Sequence, residues 1–413
     1  MRMKRGKATA ARPRICLVRQ MSDYQPQVQR VAELLAGAGV DVEVICMKDP
    51  GRSRRTVENG VTVISLPASL SKAGKLRYVV DYLWFFLLVS ALLAIRHARR
   101  PYAVIQIYTM PDFLVFAAAV PKLLGARVLA YMNEPSPELA ETMYGSPRLV
   151  RLFVRIERAV LRFADRAITV TEQLKARYVE RGAQADRISV VLNAADPVSS
   201  RAGWVPPPRP AKEEFVVISH GAIEERYGQD TILEAARLLR EEIPSLRVVL
   251  TGAGSTVEQM LHAIHEWDLS DVVRFEGWVS RHRLNDLLWT ADVGIVAQKA
   301  SPYSHLVHTY KMVDFWIFGL PVVASRLRAV SETYDDTVIE YFEPGDPIDL
   351  ARAIRRLYLD PERREELAVN GRLAEKRNGW SAQQRELLAV YRALLAERSS
   401  GQLALPDARP EAR

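Results

Sequence analysis

Only two cysteines occur among the 413 residues, Cys16 and Cys46, and both fall in apolar, β-like runs. They read as buried thiols of a reducing compartment rather than a disulfide framework. No Cys/His cluster has the spacing of a structural metal site. Long hydrophobic runs are scarce too. Leu83–Ile95 is free of charge for thirteen residues, short of the roughly 20 needed to span a bilayer. The first stretch, Met1–Arg14, is basic, but a strand follows it directly, so no signal peptide is expected. The chain also lacks a P-loop, a Gly-x-Ser-x-Gly nucleophile elbow and a His-Glu-x-x-His zinc helix.

What is present suits a soluble protein of two domains, since the chain is too long for one core. Its net charge of +8 and pI near 9.4 favour anionic partners such as nucleotide phosphates, anionic lipid or nucleic acid. Charge alone does not choose among them. The order of elements is more informative. Ile15–Val18, a helix over 28–36 and Val40–Met47 form a β-α-β opening. Further strands are expected at 61–66, 104–108, 126–131, 167–170 and 188–192. The stretch 197–213, with Pro197, Pro206–Pro208 and Pro210, has the composition of a linker. A second β-α series then starts at Phe215, with strands near 246–250, 272–275, 292–297 and from Val322. The segments are therefore a basic tail 1–14, a domain over 15–196, the linker, a domain over 214–380, a closing helix 381–398 and a disordered tail 399–413.

Two helices in the first half carry surface signals. Tyr78, Tyr82, Trp84, Phe85 and Phe86 lead into the apolar run, and Arg96, His97, Arg99 and Arg100 close it. That arrangement suits either a helix lying in a membrane interface or a core helix with a solvated basic end. On 149–163, Arg148, Arg151, Arg155, Arg158 and Arg162 recur every three or four residues as one basic stripe. The stripe reads as an attractor of anionic lipid or a phosphorylated acceptor, or as a solvated face.

Candidate chemistry concentrates in the second half. Lys311–Ser325 reads as a helix stopping at Gly319, then Leu320-Pro321 and a buried strand. Lys311 and Asp314 lie three apart and share a helical face, at the end of a strand where α/β folds place ligands. The alternative is an ordinary surface ion pair. Arg226 follows a strand and Gly221 and precedes Gly228, and a guanidinium in a glycine-flanked loop can grip a diphosphate. Its alternative is a surface pair with Glu224 or Glu225. Gly252-x-Gly254 is a partial dinucleotide fingerprint whose third position is Val257. It supports close backbone approach to a nucleotide at a helix N-terminus better than a nicotinamide site.

The run His220–Asp230, Thr251–Gly254, Val273–Gly277, Ala291–Gly294, Lys311–Ser325, Ser331-Glu332 and Tyr341–Asp346 resembles the retaining family-4 glycosyltransferases of the GT-B fold. Met110–Phe113, Pro135–Glu138, Ala164-Asp165, Val170–Glu172 and Asn193–Asp196 resemble the same family's N-terminal half. The resemblance implies an α/β fold of two Rossmann-like parallel-sheet domains facing each other across a cleft. It implies transfer of a sugar from a nucleotide donor with retention, needing neither cofactor nor metal; the base is left open, with UDP favoured over GDP as the carrier. Arg226 and Lys311 match the diphosphate-contacting positions, with Gly221, Gly252 and Gly254 lining the donor site. Asp314 falls where the family has a ribose-associated Glu, and keeps the carboxylate with one methylene less. The partner Glu of that pair is replaced by Leu306, with Ser304, His305 and His308 nearby. Asn133 stands at the usual active-site His, where it can hydrogen-bond but carries no proton. Asp23–Gln27 replaces the Gly-Gly loop after the first strand.

The expected function is therefore cell-surface polysaccharide or glycolipid assembly on a lipid-linked or saccharide acceptor. The protein is expected to be cytoplasmic and peripheral on an anionic membrane face, without nucleic acid as a partner. A degenerate nucleotide-sugar-binding protein and a sugar-nucleotide epimerase are the alternatives.

Overall fold

The computed structural model of the chain describes residues 12–21, 26–48, 53–68, 75–208 and 213–397. Residues 1–11 of the basic tail, most of the Asp23–Gln27 run, part of the proline linker and the tail from 399 lie outside the described residues. The chain divides into two compact units. One runs to Val191 and takes back the chain from Gln384; the other is Leu192–Gln383.

The first unit runs β1 (Arg14–Val18), α1 (Pro26–Gly37), β2 (Asp41–Met47), β3 (Arg55–Glu58), β4 (Val61–Leu66) and α2 (Lys75–Arg99). Then come β5 (Val104–Tyr108), a 3-10 turn (Asp112–Ala118) leading into α3 (Ala119–Leu123), and β6 (Arg127–Met132). The series continues with α4 (Ser136–Tyr144), α5 (Pro147–Phe163), β7 (Arg166–Thr169), α6 (Glu172–Glu180) and β8 (Ile188–Val190). The eight strands lie in the order β3-β4-β2-β1-β5-β6-β7-β8. All neighbours are parallel except the β3/β4 hairpin. Helices cover the faces of such a sheet, so its central strands are mostly apolar; β1 and β5 are buried at every residue, Arg14 and Gln106 included. Cys16 and Cys46 are buried in β1 and β2, and neither is in a disulfide.

A buried ion cluster ties α2 to this sheet. Glu43 on β2 accepts from Arg14 at 2.7 Å and from Arg96 Nε at 3.1 Å, and also bonds the Tyr102 hydroxyl. Helix α2 is longer than its charge-free core suggested. Val79–Arg99 is long and apolar enough to cross a bilayer, yet one stripe of it is packed inward: Phe85, Val89, Leu93 and His97. The other stripe, Val79, Val80, Leu83, Trp84, Leu87 and Ile95, is about half exposed. The chain's last helix, Trp380–Ala396, also joins this unit. Its Tyr391 hydroxyl bonds Gln106 on β5, and Glu397 just beyond it pairs with Arg166 at 2.7 Å.

The second unit begins with α7 (Pro197–Ser200) and β9 (Phe215–Ala222). After them come α8 (Gln229–Leu239), β10 (Leu246–Ala253), α9 (Val257–Glu266), β11 (Val273–Phe275) and α10 (Arg281–Thr290). It goes on through β12 (Val293–Val296), α11 (Lys311–Ile317), β13 (Val322–Ser325), α12 (Arg328–Ser331) and β14 (Glu340–Phe342). Helices α13 (Pro347–Leu359) and α14 (Pro361–Asn378) complete it, before the last helix, α15. Its six strands are all parallel in the order β11-β10-β9-β12-β13-β14. Alternate residues feed two cores, one on each face. Val217, Val248 and Ile295 pack with α8, α9 and α13; Ile218, Val249 and Val296 pack with α10 and α11. Strand order reverses between β9 and β12, and a ligand crevice forms at the carboxyl ends of strands at such a reversal.

Candidate donor site

The site is set by the two segments that leave β9 and β12. Strand β9 runs two residues past Gly221's neighbour His220 and ends at Ala222. A single 3-10 turn (Glu225–Tyr227) then carries Arg226, and Gly228, at φ 68°, starts α8. A Cβ on Gly228 would lie 1.9 Å from the Ala297 carbonyl oxygen. The turn is therefore drawn against the end of β12, and Lys299 N–H donates to the Arg226 carbonyl at 2.9 Å.

Helix α11 presents Lys311 from the other side of the reversal. Its apolar residues are buried, Met312 and Phe315 fully, each contributing about 2–3 kcal/mol. Two glycines let the helix close on its neighbours. A Cβ on Gly294 of β12 would sit 2.3 Å from the Phe315 ring, and one on Gly371 of α14 would sit 2.3 Å from Trp316. Gly319, at φ 73°, ends the helix, with Leu320 N–H returning to the Phe315 carbonyl at 2.9 Å. This cap is the expected stop signal.

Arg226 and Lys311 meet at one ring. The guanidinium carbon lies 4.8 Å and the ammonium 4.4 Å from the centre of Tyr227. Gly221 completes the wall, since a Cβ there would come within 2.9 Å of Lys311 Cε. Neither cation makes an ion pair among the described residues. Glu224, the alternative partner of Arg226, instead accepts from Ser255 N–H at 3.1 Å and from its hydroxyl. Burial, helped by the Arg226 charge, pushes the Lys311 ammonium down to about 8. Two like charges held together, neither of them in an ion pair among the described residues, favour an anion.

Gly252 and Gly254 have a packing role that their spacing did not announce. Cβ atoms there would lie 1.7 Å from the Gly221 oxygen and 1.9 Å from the Ile223 oxygen. Their missing side chains are filled by the protein's own backbone, which lets β9 and β10 run side by side to Ala222 and Ala253. Asp314 is buried and engaged. It accepts from Arg281 at 2.7 Å and lies 3.8 Å from His220 Nε2. Burial holds His220 down at about 4, with Asp314 opposing and Lys311 and Arg281 reinforcing the shift. Lys311 and Asp314 are thus not a surface pair. Arg281 and His220 were not singled out from the sequence, because their partner lies far along the chain.

Leu306 is buried at 3% exposure. Ser304 is spent on the turn with Ser301, and His305 accepts from Arg328 N–H at 3.3 Å. His308 is buried, and burial lowers it to about 4. Asn133 belongs to the first unit, just past β6. Its amide donates to Gln27 at 3.2 Å, and Gln27 also accepts from Arg19 at 3.0 Å. Arg19 lies over Tyr108, which stacks on Tyr131 at 4.8 Å. This polar and aromatic group at the carboxyl ends of β1, β5 and β6 again marks a reversal of strand order, and Arg19 was missed in the sequence. Among the described residues no group of three metal-ligating side chains is gathered.

Comparison with known proteins agrees with both halves. Residues 24–194 match the family described as glycosyl transferase 4-like domain, and residues 203–374 match glycosyl transferases group 1. A D-inositol 3-phosphate glycosyltransferase of Nocardiopsis dassonvillei is 30% identical over 290 residues, 66% of this chain and 62% of that one. The lipopolysaccharide core biosynthesis glycosyltransferase LpsD of Rhizobium meliloti is 28% identical over 211 residues, 49% of this chain and 56% of that protein. The chain thus spans about three fifths of the length of the relatives it matches. Among solved structures, sucrose-phosphate synthase from Thermosynechococcus elongatus superposes with a TM-score of 0.72 at 21% identity, over 94% of this chain and 100% of that one. Anabaena HepE in complex with UDP-glucose gives 0.68 at 15% identity, over 92% and 99%. With two parallel-sheet α/β units matching the two family halves in tandem, the chain belongs to the family-4 glycosyltransferases of the GT-B fold.

Proposed function

We propose that this glycosyltransferase moves a sugar from a UDP-linked donor, with retention at the anomeric carbon, to a lipid-linked or saccharide acceptor of the cell surface. The observation that carries the proposal is the pair of cations outside any ion pair among the described residues, Arg226 and Lys311, at the strand reversal of the second unit. They are suited to a diphosphate, and stabilise the charge that develops on it as the glycosyl bond breaks. Two positive side chains do there what a divalent metal does elsewhere. The leaving phosphate then takes the acceptor's proton, so no separate general base is needed. UDP is favoured because HepE, of the same fold, is captured with UDP and with UDP-glucose. Asp314 anchors the ribose, its carboxylate aimed by Arg281.

The cell-surface acceptor is supported by the relatives, which are named for inositol phosphate and lipopolysaccharide core. The half-exposed stripe of α2, the strongly exposed Leu123 of α3 and Leu124 just beyond it offer apolar contact to a membrane. The α5 arginines add attraction to anionic headgroups. In this reading the protein works at the inner face of the cell membrane, where its thiols stay reduced.

A thermal-shift screen with UDP, GDP and their sugars tests the donor, because a ligand of the folded state raises its melting point. Arg226→Ala and Lys311→Ala should each lower turnover by about 10²-fold or more. Near-normal turnover in either variant removes the mechanism. NMR of the product should show the anomeric configuration of the donor; the opposite configuration overturns retention. Binding of UDP-sugar without transfer over an acceptor panel would favour a degenerate binding protein.

A further inference from the structure

The first unit holds a second basic feature that the transferase chemistry does not use. A cavity of about 200 Å³ opens between the C-terminal half of α5, the turn after α6 and the amino ends of β7 and β8. Five arginines line it, Arg158 and Arg162 from α5, Arg166 from β7, and Arg181 and Arg187 from the α6–β8 connection, and no carboxylate does. Two of the five are compensated from behind. Arg181 donates to Glu138 at 2.5 Å and to Glu157 at 2.8 Å, and Arg166 pairs with Glu397. Arg158, Arg162 and Arg187 make no side-chain hydrogen bond or ion pair among the described residues.

Arg158, Arg162 and Arg187 are exposed, but they ring a shared recess instead of standing on a convex face. Arg151 and Arg155 lie on the same helical stripe but do not line the cavity. Arg158 and Arg162 are one turn apart, so their planar forks reach the same volume, and guanidinium forks match phosphate oxygens bidentately. The volume corresponds to roughly seven waters, room for a phosphate with a short polyol. Its place also separates it from any sugar transfer. It lies at the amino ends of β7 and β8, whereas Asn133 and the group around it lie at the carboxyl ends of the same sheet.

We infer that this cavity is a discrete site for a phosphate monoester, built from Arg158, Arg162 and Arg187 over Arg166 and Arg181. The inference does not rest on the donor-site reading. The ester is either a small soluble one or the headgroup of a lipid, and the two sources are told apart by probe. Titration calorimetry with glycerol 3-phosphate at about 0.15 M salt, where diffuse attraction is screened beyond roughly 8 Å, should give saturable binding of one molecule per chain. Arg158→Gln/Arg162→Gln should weaken it at least tenfold. Arg151→Gln/Arg155→Gln removes the same charge from the same stripe and should change it less than threefold. If the source is a lipid, glycerol 3-phosphate binds weakly. Vesicles of phosphatidylcholine with phosphatidic acid then float the protein in preference to vesicles with phosphatidylglycerol, and only the first double variant abolishes this. Absence of saturable binding to both probes overturns the site. So does an equal loss in the two double variants, which would mean a delocalised field.

Discussion

Lys311→Met gives a prediction with two effects of opposite sign. The ammonium is pushed from its ordinary 10.5 to about 8 by burial and by Arg226. Keeping it charged near pH 7 therefore costs the folded unit about 3 kcal/mol. Methionine fills the same length without charge, and gives up a cation–π contact with Tyr227 worth about 1 kcal/mol. The ligand-free variant should thus be more stable by about 2 kcal/mol, which raises the melting point of a unit this size by about 4–8 °C. The sign follows from linkage. A base whose folded pKa is depressed destabilises the fold fully below about pH 8, and the penalty fades as pH rises toward 10.5. The advantage of the variant should fade over the same window. Binding moves the other way. Wild-type affinity for UDP should fall about tenfold per pH unit above pH 8 as the ammonium loses its proton, whereas the variant should bind weakly with no such slope. Differential scanning calorimetry with and without UDP from pH 6.5 to 10 reads both effects. A destabilised variant, or one that keeps the full UDP-induced shift, refutes the claim that Lys311 is a strained cation awaiting an anion.

Gly252→Ala should cost about 3 kcal/mol or more, because its Cβ would meet the Gly221 oxygen at 1.7 Å at a φ of 146°. Gly145→Ala, with φ 57° and open space around it, should cost about 1 kcal/mol; urea melts compare the two. Glu43→Gln leaves Arg14 buried without its anion and should cost about 3–5 kcal/mol. Although burial opposes it, bonding to Arg96, Tyr102 and Arg14 holds the Glu43 carboxyl below its ordinary value. Its contribution is therefore complete above about pH 4.5 and is lost as pH falls through the folded pKa, so acid unfolding should begin at higher pH in the variant. Trp84→Ser/Leu87→Ser changes half-exposed side chains and should leave the melting point within about 1 °C, since surface changes are small. Flotation with anionic vesicles should nonetheless drop severalfold, and unchanged flotation rejects the membrane role of α2.

Much of the fold could be read from the chain because buried parallel strands are written as short apolar runs. Val61–Leu66 and Val104–Tyr108 were expected at the bounds they have. The misses share a cause. Strand β3, Arg55–Glu58, is an edge strand with alternating exposure and two charged ends, so it has no apolar run to find. Strand β14 is three residues long and shows a buried glutamate, Glu340, because arginines from α13 neutralise it. Contacts made at long range were equally hidden. Arg281 aims Asp314, and nothing in the local spacing of either announces the other.

The same reasoning explains why Arg226 and Lys311 could be paired from sequence while the packing role of the glycines could not be read there. Each cation follows an apolar strand, and a parallel sheet that reverses its strand order must set the ends of two such strands beside each other. Here they are β9 and β12, so the convergence follows from topology and needs no spacing rule. Gly252 and Gly254 were read through a spacing rule, which cannot tell backbone approaching a ligand from backbone approaching backbone. The carbonyls of Gly221 and Ile223 occupy that space. Those glycines thus fix the path of β9, and hence where the turn after it places Arg226.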